Sequence, residues 1–172
     1  MGKKFALVLT VFWLAVAGLW AQTPTVAVVF DGATATNRDA FKFMQEQLGK
    51  DQADFRLVPV DLSTQTANGP YRAVFLLNSG VTSGIDSTLG TWLGSWPDKA
   101  HTLLITLIKG SNSIEVTTMP ASPATLGVDA VASATTWTGA GLAALFGGQP
   151  SANFKMHEKW VRYAVNWVKQ HP

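Results

Sequence analysis

The chain has 172 residues, no cysteine and a formal charge of +2. That length suits one domain with a core of its own. The missing cysteine excludes disulfides, thiolate nucleophiles, cysteine-ligated zinc and iron–sulfur centres. The composition, 47% hydrophobic and 14% charged, is that of a globular protein. Lys3 and Lys4 supply the whole net charge, and beyond residue 21 the chain carries 11 basic and 11 acidic residues. A neutral body has no basic footprint for nucleic acid.

Gly2-Lys3-Lys4 precedes an apolar run from Phe5 to Trp20, interrupted by Thr10 and Gly18. Sixteen residues are short for a bilayer, which takes about 20, and suit the core of a secretory signal. Residues 1–21 are therefore expected to be a signal peptide, with an uncleaved N-terminal anchor as the alternative. Cleavage after Ala21 leaves the bulky Leu19 two places earlier, whereas Ala15-Val16-Ala17 is a cleaner site but shortens the run. Residues 22–172 then form a single exported domain, periplasmic or secreted, with no membrane contact beyond the leader.

Thr25 to Phe30 is continuously apolar, the mark of a strand covered on both faces. A small-residue loop follows from Asp31 to Asn37. Ala40, Phe41, Phe43, Met44 and Leu48 then recur at helical spacing up to Gly49. Phe55 to Val60 reads as a second strand, and Pro59, which has no N–H for a ladder, places it at a sheet edge. Ala73 to Leu77 and Thr102 to Ile108 are further apolar strands. Between them Ile85, Leu89, Trp92, Leu93 and Trp96 mark a helix ended by Pro97. Residues 61–72 are near the lower limit for a parallel crossover, so a loop or one helical turn is expected there. The last helix is expected over His157 to Gln170, with Trp160, Ala164, Trp167 and Val168 on its core stripe.

Together these elements predict an α/β fold, a doubly wound three-layer sandwich on a mainly parallel sheet. The expected strand order is 2-1-3-4, with a possible fifth strand near Val128 to Ala132. Residues 109–154 stand apart: 26 of these 46 are Gly, Ala, Ser or Thr, and only Lys109, Glu115 and Asp129 are charged. Ser113 to Met119 could add a strand there, and Gly139 to Phe146 a short helix. Such a segment is either a neutral surface excursion or a binding loop.

In this architecture ligands bind beyond the carboxyl ends of the strands, at the switch point. The relevant loops are Asp31 to Asn37, Asn78 to Gly84 and Lys109 to Ser113, all small and polar. His101, His157 and His171 have no histidine or carboxylate partner at the helical i, i+4 spacing, so a metal site is not expected. Gly-x-Ser-x-Gly and phosphate-cradling Walker patterns are absent from the sequence.

In element order residues 25–170 resemble the flavodoxin-like superfamily. Thr34-Ala35-Thr36-Asn37-Arg38-Asp39 is similar to its Thr/Ser-x-Thr-Gly-x-Thr phosphate loop, with Asn37 in the glycine place and Asp39 in that of the last threonine. Asn accepts a left-handed backbone. Asp39 would repel a phosphate. The alternative is that Thr36 or Asn37 caps the helix while Asp39 complements its dipole.

The resemblance implies FMN, or a related phosphate-bearing ligand, with electron transfer to a redox partner protein. The anion would sit on the N–H groups of Thr34, Ala35, Thr36, Asn37 and Arg38. Asn78, Ser79, Gly80, Lys109, Gly110 and Ser111 would lie near the ring or ribityl chain. Lys109 is the one charge in that last loop that could balance a reduced, anionic flavin. The family usually sandwiches the flavin ring between aromatics from the third and fourth strand loops, which hold none here. Trp137 is a candidate substitute or an anchor for its own segment.

Asp129-Ala130-Val131-Ala132-Ser133-Ala134-Thr135 also resembles the Asp-x-x-Ser-Gly-Ala-Thr motif of exported covalent FMN-binding domains, which would make Thr135 an attachment site. Ala132 and Ser133 replace its Ser-Gly pair. Three functions follow: an FMN-dependent electron carrier, an exported binding module of the same fold without cofactor, and a covalent flavoprotein.

Overall fold

The computed structural model describes residues 23–50, 53–64, 69–81, 84–108, 126–134 and 152–172, the side chains of the last segment from residue 158 onward. Five strands form one sheet: β1 (Thr25–Phe30), β2 (Arg56–Asp61), β3 (Ala73–Val81), β4 (Thr102–Ile108) and β5 (Asp129–Ala134). Their order is β2-β1-β3-β4-β5, and every pairing is parallel. The helices are α1 (Ala35–Lys50), α2 (Ser87–Ser95) and α3 (Ala152–Gln170). The predicted α/β sandwich and strand order are thus observed, with β2 on the edge that Pro59 indicated.

Side-chain alternation along the strands divides the core in two. Val26, Val28, Phe30, Phe75, Leu77, Leu103, Ile105 and Val131 pack beneath α1 and α3, meeting Met44, Phe43, Trp160 and Trp167. Ala27, Val29, Val74, Leu76 and Leu104 face the other way, toward Leu89 and Leu93 of α2. Trp160 is fully enclosed, and Trp167 packs against Phe75 with ring centroids 6.4 Å apart. Both tryptophans are core, as their stripe predicts.

Several boundaries differ from expectation. Strand β3 continues four residues past the apolar run, because buried Asn78 and Ser79 find hydrogen-bond partners there. Gly80 sits in a bulge: the register with β4 passes from Ser79–Leu107 to Val81–Ile108. Helix α2 spans Ser87–Ser95, so Ile85 precedes it and Trp96 caps its end. Trp92 and Trp96 of its stripe are only half-buried and stack on each other at 4.9 Å.

Helix α3 starts at Ala152, five residues before the expected His157. The fifth strand lies within the Ala/Gly/Ser/Thr-rich segment, so that segment is not one continuous excursion. Residues 62–64 and 69–72 connect β2 and β3 by turns and irregular backbone. The leader at 1–21, the expected strand at 113–119, the helix at 139–146 and Trp137 lie outside the described residues. Among the described residues, no helix is long and apolar enough to cross a membrane.

Candidate functional site

The carboxyl ends of β1, β2 and β3 meet where α1 begins, and the chain passes from β2 across β1 to β3. This is the sheet's switch point. Strand β1 ends at Phe30, and Asp31, Gly32, Ala33 and Thr34 turn the chain into α1.

Hydrogen bonds fix that turn. Thr34 donates its N–H to the Asp31 carbonyl at 3.2 Å, and its own carbonyl accepts from the N–H groups of Asn37 and Arg38. Thr34 therefore occupies the cap position, and Ala35 is the first helical residue. The expected cap at Thr36 or Asn37 is corrected. Both lie inside the first turn, and Asn37 is 98% buried, with 2% relative exposure. Asp39 is corrected as well: no acidic residue stands in the first turn, and the Asp39 side chain is exposed one step further along.

Asn37 has a structural task. Its amide donates to the Asp31 carbonyl at 2.9 Å, and its side-chain oxygen accepts from the Ser79 hydroxyl. Asn78, the preceding residue of β3, points to the opposite face. Its amide nitrogen donates to the Gly84 carbonyl at 2.9 Å and to Thr106 Oγ1 at 3.3 Å. Its oxygen accepts the Asp86 N–H at 3.0 Å. Asp86 in turn caps α2, accepting from the N–H groups of Thr88 and Leu89. Two adjacent residues of β3 thus hold the entry turns of two helices, one on each face. Their buried polar atoms are paired within the protein, which explains their burial.

The expected anion seat is accordingly smaller than residues 34–38. The N–H groups of Thr34, Asn37 and Arg38 bond to protein carbonyls. An α-helix leaves its first N–H groups without intrahelical acceptors, here those of Ala35 and Thr36. Thr34 and Thr36, at the cap and the second helical position, are both half-buried. Arg38 donates to the Gly32 carbonyl.

Two carboxylates complete the site: Asp31, which opens the loop the sequence indicated, and Asp61, which sequence reading did not place here. Asp31 Oδ1 accepts the Ala33 N–H at 2.9 Å. Asp61, at the end of β2, accepts the Gly32 N–H at 2.8 Å and both the N–H and hydroxyl of Ser63 at 2.9 and 2.7 Å. The Ser63 hydroxyl bond foremost holds the Asp61 carboxyl below its ordinary value; burial opposes it next, and the Ser63 and Gly32 N–H groups and the Arg38 charge add to the lowering. Two threonines and two helix-opening N–H groups thus stand at this turn together with two carboxylates, whose charge opposes a phosphate dianion.

The other sequence candidates fall elsewhere. Lys109, Gly110, Ser111 and Thr135 lie outside the described residues. In the motif leading to Thr135, Asp129 to Ala134 form β5, and Asp129 Oδ2 accepts from Trp167 Nε1 at 2.7 Å, so Asp129 ties the sheet to α3. Ser133 is buried, and its hydroxyl has no partner among the described residues. His101 pairs with Asp98, three residues earlier, at 2.9 Å, and His171 lies 3.6 Å from Asp129, carboxylate neighbours that the i, i+4 spacing did not reveal. Among the described residues, no group of three or more histidines and carboxylates is arranged to hold a metal ion.

No protein-family profile and no curated protein sequence matches this chain. Among solved structures it is similar to the metal-soaked Flv1 flavodiiron core from Synechocystis, with a TM-score of 0.52 and 11% identity over 99% of this chain. The match spans 42% of the length of that larger chain. A further similar structure is FerB, a flavoenzyme NAD(P)H:(acceptor) oxidoreductase from Paracoccus denitrificans, at TM-score 0.49 and 14% identity, covering 86% of this chain and 98% of that one. Identity this low speaks for the fold alone. With five parallel strands in the order 2-1-3-4-5 between helical layers, the chain has a flavodoxin-like α/β fold.

Proposed function

We propose that this protein is an exported flavin-binding domain acting in electron transfer. The observation that carries the reading is the turn of Thr34, Ala35 and Thr36 at the switch point, where two half-buried threonines and the first N–H groups of α1 follow the carboxyl end of β1. The flavin tail would lie across these residues. The ring would extend toward the loops after β3 and β4, with Lys109, Gly110 and Ser111 beside it. The flavin-associated proteins of similar fold support the choice of ligand class. A flavin supplies reversible electron transfer, and the protein supplies its position and surrounding charge.

In this reading Asn37, Asn78 and Ser79 are positioning residues, because their polar groups are engaged in holding the loops. That same engagement favours a second reading, an exported binding module with this fold and no cofactor. One titration separates the two. Adding the purified chain to riboflavin or to FMN should quench flavin fluorescence with a one-to-one endpoint. Fluorescence that stays constant for both flavins would overturn the flavin reading and leave the binding module.

A further inference from the structure

The three N–H groups that open the β1–α1 loop already have protein acceptors. Gly32 donates to Asp61 Oδ1, Ala33 to Asp31 Oδ1, and Thr34 to the Asp31 carbonyl. Two of these acceptors are carboxylates. Asp61 is 29 residues away from Gly32 in sequence, yet its carboxylate lies flush on the loop backbone. A Cβ at residue 32 would stand 1.8 Å from Asp61 Oδ2 and 2.3 Å from its Cγ. Only glycine permits that approach. Ser63 donates two further bonds to Asp61, and Arg38 crosses the loop to the Gly32 carbonyl. The loop is thus assembled around an anion that the chain itself provides, and two carboxylates there face one guanidinium.

We infer that Asp61 is a built-in anion beside this seat, which with Asp31 takes up the N–H groups of Gly32, Ala33 and Thr34, leaves a ligand only those of Ala35 and Thr36, and by its charge selects an uncharged, hydroxylated ligand tail over a phosphorylated one. For the ligand's identity the inference rests on the flavin reading above; the occupation of the amides by Asp61 does not. Charges a few ångströms apart near a protein surface interact strongly enough to change affinity roughly tenfold or more. Riboflavin should therefore bind roughly tenfold more tightly than FMN, and the difference should narrow as salt screens the repulsion.

The test compares riboflavin and FMN titrations of the purified wild-type chain and of Asp61→Asn, together with inorganic phosphate followed through the backbone amide resonances of Gly32, Ala35 and Thr36. Riboflavin bound more tightly than FMN by the wild type, with FMN affinity rising roughly tenfold in Asp61→Asn, is the expected result. FMN bound more tightly than riboflavin by the wild type overturns the inference and leaves the flavin reading standing. An unchanged FMN-to-riboflavin ratio in folded Asp61→Asn overturns it too. If neither flavin binds either protein, the flavin reading fails, and phosphate decides. Phosphate shifting these amides in Asp61→Asn but not in the wild type upholds the built-in anion; shifts in both or in neither overturn it. If Asp61→Asn does not fold, the wild type decides alone: its Gly32 amide resonance should titrate with a carboxyl at acid pH, and a flat response overturns the inference.

Discussion

Gly32 and Asp61 constrain each other. Placing a side chain at residue 32 requires the Asp61 carboxylate to leave, since the new Cβ would stand 1.8 Å from its oxygen. Gly32→Ala should therefore destabilise the fold by about 1–3 kcal/mol, as overpacking of a fitted contact does, measured by chemical denaturation. Asn37→Ala removes an amide buried to 2% exposure and leaves the Ser79 hydroxyl without its acceptor. A loss of about 1–3 kcal/mol is expected by the same measurement.

The pH dependence of stability has a defined sign at Asp61. Its folded carboxyl lies below the unfolded value of about 3.9. Its contribution is therefore fully present above that value and lost as pH falls through the lower folded one. Asp61→Asn should flatten this acid limb of the stability profile; an unaltered limb would mean that Asp61 is not held as an anion. None of this pairing was legible in the sequence. An aspartate at the end of a polar-edged strand looks like any exposed acid, and only the glycine directly after Asp31 hinted at a close approach. Asn37 misled for a physical reason: Asn is a good capping residue, but Thr34 already provides the first helical carbonyl three residues earlier.

At the scale of elements, the entry of α2 depends on a cap that is itself held by the sheet. Asp86 accepts two N–H groups of α2, while its own N–H bonds to Asn78 in β3. Asp86→Ala should cost about 1 kcal/mol in a denaturation midpoint experiment. The helices and strands were readable because continuous apolar runs and 3.6-residue stripes persist for several residues. Their ends were less so. Strand β3 outruns its apolar run because paired polar groups can be buried as readily as apolar ones once each has a partner. The α2 stripe marks one helical face, yet Leu89 and Leu93 reach the sheet while Trp92 and Trp96 stack beside it, half-exposed. Helical spacing identifies a face, and the packing distance decides how deeply each member of that face sits.

For the whole molecule, one proline gave the most information about topology. Pro59 marked β2 as an edge, and an edge second strand beside a central first strand leads to the order observed. The two-sided core then follows from strand runs apolar on both faces. Its largest enclosed side chain, Trp160, seals α3 against α1 and the sheet, so Trp160→Ala should lower global stability by about 3–5 kcal/mol. The body beyond residue 21 has equal numbers of acidic and basic residues, so local charge at the switch point outweighs any overall field in choosing a ligand. The most direct measurement of the central claim is a riboflavin titration of the purified chain, read by flavin fluorescence and by the amide resonances of residues 32–36. Quenching with a one-to-one endpoint and shifts at Ala35 and Thr36 are the predicted result. Unquenched riboflavin and FMN with those amides unmoved would contradict it.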